Sequence, residues 1–488
     1  MKRLEQTKKN FSASSGRDGG ARLSRLKSWV DWFPDSNWFM LFAGVIVVLS
    51  WALHWEIAGP VLLLALACFI LLFREDLTPL FVLVCLGAFS YFFEEMPAEP
   101  DFTPAQSVTQ TYITTIVVAG CIAAVCLVWY LYKHFIRAKR KPNFGKLWMG
   151  MAIAGLVSLL SGVLNPDYDK INMLTVFAVG FGVYLVYFLI INCTSCDLRR
   201  FACKIMMFAG FVIVAEMLIY FSTVHDLAYV LESKRMRIGW GMTNSIATLL
   251  LMAIPATLYL CVEEKHNWAL MLAAFIFGVA LLVTMSRGNL LFGVFILPTA
   301  FVYAVVKSPY RRGLLISAGV FLVLLLTVFL IFRTELLDLF SQMLEKGFDD
   351  NSRFELWEEA WHRFLANPIF GCGYLGYEGD RFVGHLWKVH CTPLQILSSA
   401  GVVGVIGFVL FYFQRYRLLF KGMSVFKFFA FLLVAAYELY GFMDLTFFIV
   451  YQIFFVFLFL GAAEKETPPM RESFRGIAPS YLKINMGE

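Results

Sequence analysis

The chain has 488 residues, of which 59% are hydrophobic, 17% aromatic and only 16% charged, with 50 Phe and a mean hydropathy of +0.70. A soluble domain carries about a quarter charged residues, and here the apolar positions gather into unbroken runs, so an ordinary soluble fold is excluded. The net charge of +6 implies no nucleic acid, because in a membrane protein the informative quantity is where Lys and Arg fall between the spans.

Runs such as Leu41 to Leu53 and Gly313 to Phe332 are apolar on every face instead of alternating, which excludes a β-barrel and predicts an all-α, polytopic membrane protein. Residues 1–37 are polar and basic, with Lys2, Arg3, Lys8 and Lys9 first, and read as a cytoplasmic tail, not a cleaved signal peptide. Residues 38–332 then hold expected spans near 38–54, 57–73, 78–93, 111–132, 147–164, 171–192, 201–221, 243–262, 268–285, 289–306 and 313–332. A long connection, 333–390, precedes three more near 391–414, 424–441 and 445–462, and 463–488 form a second tail. The count is about 12–14, since the third run and the last two are short. Basic segments around Lys133 to Lys146, Arg199 to Lys204, Lys307 to Arg312 and Arg415 to Lys427 fall on the side of the N-terminus in this threading. That side is cytoplasmic by the positive-inside bias, which puts both termini inside and the 333–390 loop outside.

Within that loop, Ser352-Arg353-Phe354-Glu355 reads as a capping box, with a helix following to about Ala366. Phe354, Trp357, Trp361, Phe364 and Leu365 share one face, as expected of a helix lying in the membrane interface. Pro368 ends it, and Gly371 and Gly373 allow a sharp return.

The basic residues expected outside are the informative ones, because charge bias and membrane potential both oppose exporting them. Lys234, Arg235 and Arg237 precede Gly239-Trp240-Gly241-Met242-Thr243-Asn244 at the start of one span. Ser286-Arg287-Gly288 lies at an outer turn, Arg353 starts the loop helix, and His385, Lys388 and His390 lead into the next span. Arg287 has apolar runs on both sides and so needs an anionic partner, either a lipid phosphate or a bound pyrophosphate group. His390 borders the re-entering chain and is a candidate proton acceptor, with a packed histidine the equal alternative. Asp167-Tyr168-Asp169 has the makings of a metal ligand set but is better read as a polar turn. Cys193-Thr-Ser-Cys196 lacks a second ligand pair and is read as a packing or loop element rather than a zinc site. Glu216, Glu438 and Asp444 lie within or near spans, where an acid is functional or counters an Arg.

The order of these motifs resembles the O-antigen ligase and polymerase family of membrane glycosyltransferases. The matching stretch runs from Arg237 with Asn244, through Ser286-Arg287-Gly288, Arg353, Trp357, Asn367-Pro368-Ile369-Phe370-Gly371 and Gly373, to His390 with Leu394, Gln395, Leu397, Gly401 and Gly404. It departs from the family at Cys391, where Asn usually follows the histidine. The resemblance implies transfer of a glycan from an undecaprenyl diphosphate carrier to a hydroxyl of a glycan or lipid acceptor, at the outer face of the bacterial cytoplasmic membrane, without cofactor or metal and with inversion. It implies that Arg237, Arg287 and Arg353 hold the diphosphate and that His390 is the catalytic base, with Arg235, Lys388, His385, Trp357 and Glu216 supporting. Ligase and polymerase remain alternatives. A transporter or flippase of lipid-linked oligosaccharides is the rival class, and its expected sign is charge along a cavity through both leaflets.

Overall fold

The computed structural model describes residues 32–53, 55, 57–87, 110–164, 182–224, 236–265, 267–334, 337–338, 341, 353–374, 389–444, 446 and 450–466. Among these, fifteen α-helices account for nearly all regular structure, and each expected span contains one. They are α1 (Asn37–Ala52), α2 (Ala58–Phe73), α3 (Thr78–Gly87), α4 (Gln110–Leu131), α5 (Trp148–Leu159), α6 (Val183–Cys193), α7 (Leu198–Thr223) and α8 (Thr243–Glu263). There follow α9 (Trp268–Val283), α10 (Arg287–Lys307), α11 (Arg311–Ile331), the loop helix α12 (Arg353–Ala366), α13 (Thr392–Phe420), α14 (Val425–Tyr440) and α15 (Val450–Lys465). Six of the apolar segments are long and apolar enough to cross a membrane. The protein is an all-α, polytopic membrane protein. Both expected tails, apart from residues 32–37 and 463–466, and most of the 333–390 loop lie outside the described residues.

The helix α8 is the axis of the bundle, with 94% of its apolar window buried against α7, α9, α10 and α14. At the other extreme α11 has only 11% of its window buried, which is the surface a lipid-facing helix presents. One ion pair is matched inside the bundle. Arg415 is buried, pairs with Glu438, and lies over the rings of Phe411 at 4.4 Å and Tyr412 at 5.0 Å. Glu438 therefore answers an arginine, one of the two roles open to it from sequence.

The loop helix is amphipathic as expected, though Ser352 of the capping box lies outside the described residues. Phe354, Trp361 and Leu365 are exposed while Ala360 is buried, and α12 packs on α13. After α12 the chain runs through Pro368 to Gly373 into a break in α13. There Gly401 has φ 65° and ψ −164°, a conformation open essentially to glycine alone. Four of the backbone groups at the break find partners in the incoming segment. Cys372 and Gly373 donate to the Ser398 and Ser399 carbonyls at 2.9 Å each, and Val402 and Val403 donate to Pro368 at 2.9 Å and Ile369 at 3.2 Å. Gly371, with φ +70°, lies so close that a Cβ there would fall 2.3 Å from the Ser399 carbonyl carbon. The return that Gly371 was expected to permit is thus a backbone splice into a membrane helix. Replacing Gly401 by Ala is expected to destabilise the protein by about 1–3 kcal/mol from backbone conformation alone, with the clash against Ile369 in addition. A lowered Tm of the detergent-purified variant is the check.

Candidate functional site

Two turns and a helix start converge at one end of the bundle. The first turn is Val389-His390-Cys391, which leads into α13. Its backbone is fixed on both sides: the Trp357 indole of α12 donates to the Val389 carbonyl at 3.1 Å, and the Val389 N–H donates to Gln395 Oε1 at 3.0 Å. Gln395 is fully buried and is held in turn through Nε2 to Ser399 Oγ at 2.8 Å. The second turn, 441–444 with Thr446, follows α14. Thr392 N–H donates to the Gly441 carbonyl at 2.7 Å, Thr446 N–H donates to Thr392 Oγ1 at 3.1 Å, and Tyr437 donates to the Thr446 carbonyl at 2.6 Å.

This stitching sets one side-chain pair. His390 Nδ1 lies 2.8 Å from Asp444 Oδ1, and Tyr440 donates to the other carboxylate oxygen at 3.0 Å. The histidine side chain is 37% exposed and the aspartate 17%, so one nitrogen is engaged inward while the ring edge stays accessible. A carboxylate on Nδ1 favours the tautomer with its proton there, which leaves Nε2 as the acceptor. Cys391, the departure from the family pattern, does not orient the imidazole. It is buried in a small cluster with Ala360 and Val389, against Trp357 and Leu394.

The helix start is that of α10, with Ser286 at its N-cap and Arg287 as its first residue. A Cβ on Gly288 would lie 3.4 Å from the Tyr440 ring and 3.6 Å from Met443, so the Arg287 turn packs directly on the turn that carries Asp444. Ser286 and Asn289 are buried and tie this turn to the start of α8. Ser286 Oγ donates to Asn244 Oδ1 at 3.0 Å, and Asn289 Nδ2 donates to the Asn244 carbonyl at 3.2 Å and to Ser286 Oγ at 3.1 Å. Thr248 donates to Asn289 Oδ1 at 3.2 Å. Just before α8 the chain forms a small hairpin, β1 (Arg237–Ile238) with β2 (Gly241–Met242), in which Arg237 pairs with Met242. The Arg237 backbone therefore stands at the same end as Arg287 and His390. Arg353 begins α12, one helical turn before Trp357 on the same face.

Backbone strain marks the same places. Among the described residues three non-glycines have positive φ, and two of them are His390 at 53° and Met285 at 52°, two residues ahead of Arg287. Such positions cost about 1–3 kcal/mol each and persist only where neighbouring contacts dictate them. Arg235, His385, Lys388 and Asp167 to Asp169 lie outside the described residues. Cys193 and Cys196 are free thiols. Glu216 is fully buried in α7.

Residues 272–409 match the family model described as O-antigen ligase. This stretch of the chain is similar to the O-antigen ligase family. No curated protein matches the chain. The matched residues take in Arg287, Arg353, Trp357 and His390, while Arg237, Glu216 and Asp444 lie outside them. Asp444 is also the residue that sequence reasoning left unassigned. Its signal was an acid at the end of a membrane helix, and nothing in its spacing of 54 residues from His390 announces the contact.

Proposed function

We propose that the protein transfers a glycan from an undecaprenyl diphosphate carrier to an acceptor hydroxyl at the outer membrane face. The observation that carries this is the His390–Asp444 pair beside the Arg287 helix start. In this reading Arg287, Arg353 and Arg237 bind the diphosphate, with the N-terminus of α10 adding the favourable end of its dipole. The acceptor oxygen attacks the anomeric carbon as its proton passes to His390 Nε2, and the glycosyl–phosphate bond breaks on the opposite face, which inverts the carbon. The electron pair leaves on the diphosphate, whose growing charge the guanidinium groups offset. Asp444 holds Nδ1–H and stabilises the imidazolium formed. The test is direct: purified protein is given an undecaprenyl diphosphate oligosaccharide and the products are read by mass. A ladder on the lipid identifies a polymerase, a single transfer a ligase, and no glycosidic product overturns the reading.

Fixed arginine charges suffice for the leaving group, so activity is expected to withstand EDTA. Activity abolished by EDTA and restored by magnesium or manganese would instead move the site toward Asp167 and Asp169. The site is expected outside, so a membrane-impermeant thiol reagent should label an engineered Cys at Gly347 and spare one at Lys141.

A further inference from the structure

Glu216 has no role in the chemistry above, yet its place is unusual. It lies seven residues before the end of α7 at Thr223, roughly 10 Å into the helix from that end at 1.5 Å per residue. The side chain is fully buried, and neither carboxyl oxygen has a hydrogen-bond partner of ordinary geometry among the described residues. An acid left so inside a membrane bundle is costly and demands a reason.

What faces it is the tip of the hairpin. The Gly239 backbone N–H and the Trp240 indole are the groups set against the carboxyl, and α7 packs on β1. Trp240 is itself buried, with its ring 6.5 Å from that of Phe455 in α15, so the tip is inserted among α7, α8 and α15. The open end of the same hairpin carries Arg237 opposite Met242. Tip and arginine are two to three residues apart, about 7–10 Å of extended chain, and strands this short have no sheet to stiffen them.

We propose that Glu216 is a positioning residue: it seats the hairpin tip through Gly239 and Trp240 and thereby fixes where Arg237 meets the diphosphate of the donor. The proposal rests on the reading of Arg237 as a diphosphate ligand. A small settling of the hairpin brings two N–H donors onto two acceptor oxygens, so Arg237 engagement and seating of the tip favour each other. Glu216 touches no substrate and acts only through the hairpin.

The experiment is a double-mutant cycle on donor kinetics with purified full-length protein. Glu216→Ala is expected to raise the KM for an undecaprenyl diphosphate oligosaccharide about tenfold, as for the loss of one to two hydrogen bonds, with kcat little changed. Glu216→Gln keeps an acceptor oxygen in place and should recover most of the loss. Combined with Arg237→Ala, Glu216→Ala should add nothing, because its effect runs through that arginine. If Glu216→Ala does not accumulate in membranes, Trp240→Phe removes the indole N–H while keeping the ring, and the same KM rise and non-additivity are expected of it. An unchanged KM, or a loss that adds fully to that of Arg237→Ala, overturns the proposal. Absence of transfer by the unmutated protein would instead defeat the functional reading, and full activity of Arg237→Ala would remove the ligand on which the proposal rests.

Discussion

Replacing His390 by Ala is expected to reduce transfer by about 10²-fold or more, the usual contribution of a positioned proton acceptor, while expression and donor binding persist. The geometry gives this a second arm. Asp444 engages Nδ1 at 2.8 Å, so Asp444→Ala should leave an imidazole of uncertain tautomer and free rotation and cost roughly tenfold, less than loss of the base itself. Because both act on one proton, the double variant should be no slower than His390→Ala alone. The deciding measurement is transfer and donor binding in one purified preparation. Near wild-type transfer removes His390 from the mechanism, and loss of both signals assigns it to binding or folding.

The distribution of apolar runs made the helices legible, because in a bilayer every backbone group must be satisfied within its own segment. The spans expected at 201–221 and 243–262 are α7 and α8 to within a few residues. What composition and periodicity do not convey is how helix ends meet. Arg287, Arg353 and His390 stood out because charge at a helix end expected outside is costly, and that cost is local. The contact between His390 and Asp444 depends instead on the Thr392–Gly441 backbone bond, a meeting of two turns through tertiary packing. The Gly401 break is a similar case. Its glycine belongs to the quoted family pattern, but a run of apolar residues through 391–414 gave no sign that residues 368–373 lie across it. Cys391 shows the reverse: a departure that drew notice in sequence proves to sit in a packing cluster.

Arg287→Lys and Arg353→Lys are each expected to impair transfer severely although the charge is kept. A diphosphate offers oxygens in pairs, and a planar guanidinium meets two at once where an ammonium meets them as a point charge. For Arg287 the argument is stronger than charge alone. It is the first residue of α10, its turn is locked by the buried Ser286 and Asn289, and Gly288 packs on Tyr440 and Met443, so a shorter reach has little backbone freedom to compensate. Losing one of two charge-assisted hydrogen bonds is worth about 1.5–3 kcal/mol, which is roughly 10- to 100-fold in kcat/KM. The loss should appear mainly in kcat, because the leaving diphosphate carries more charge in the transition state than in the bound donor. Arg353 is set on α12, whose anchor is the Trp357 bond to the Val389 carbonyl. Trp357→Phe should therefore weaken the contribution of Arg353 and displace His390 together, a combined loss larger than that of either single arginine variant. Full activity of both Lys variants at normal protein levels would reduce Arg287 and Arg353 to lipid-facing charges and leave His390 without a diphosphate to act beside.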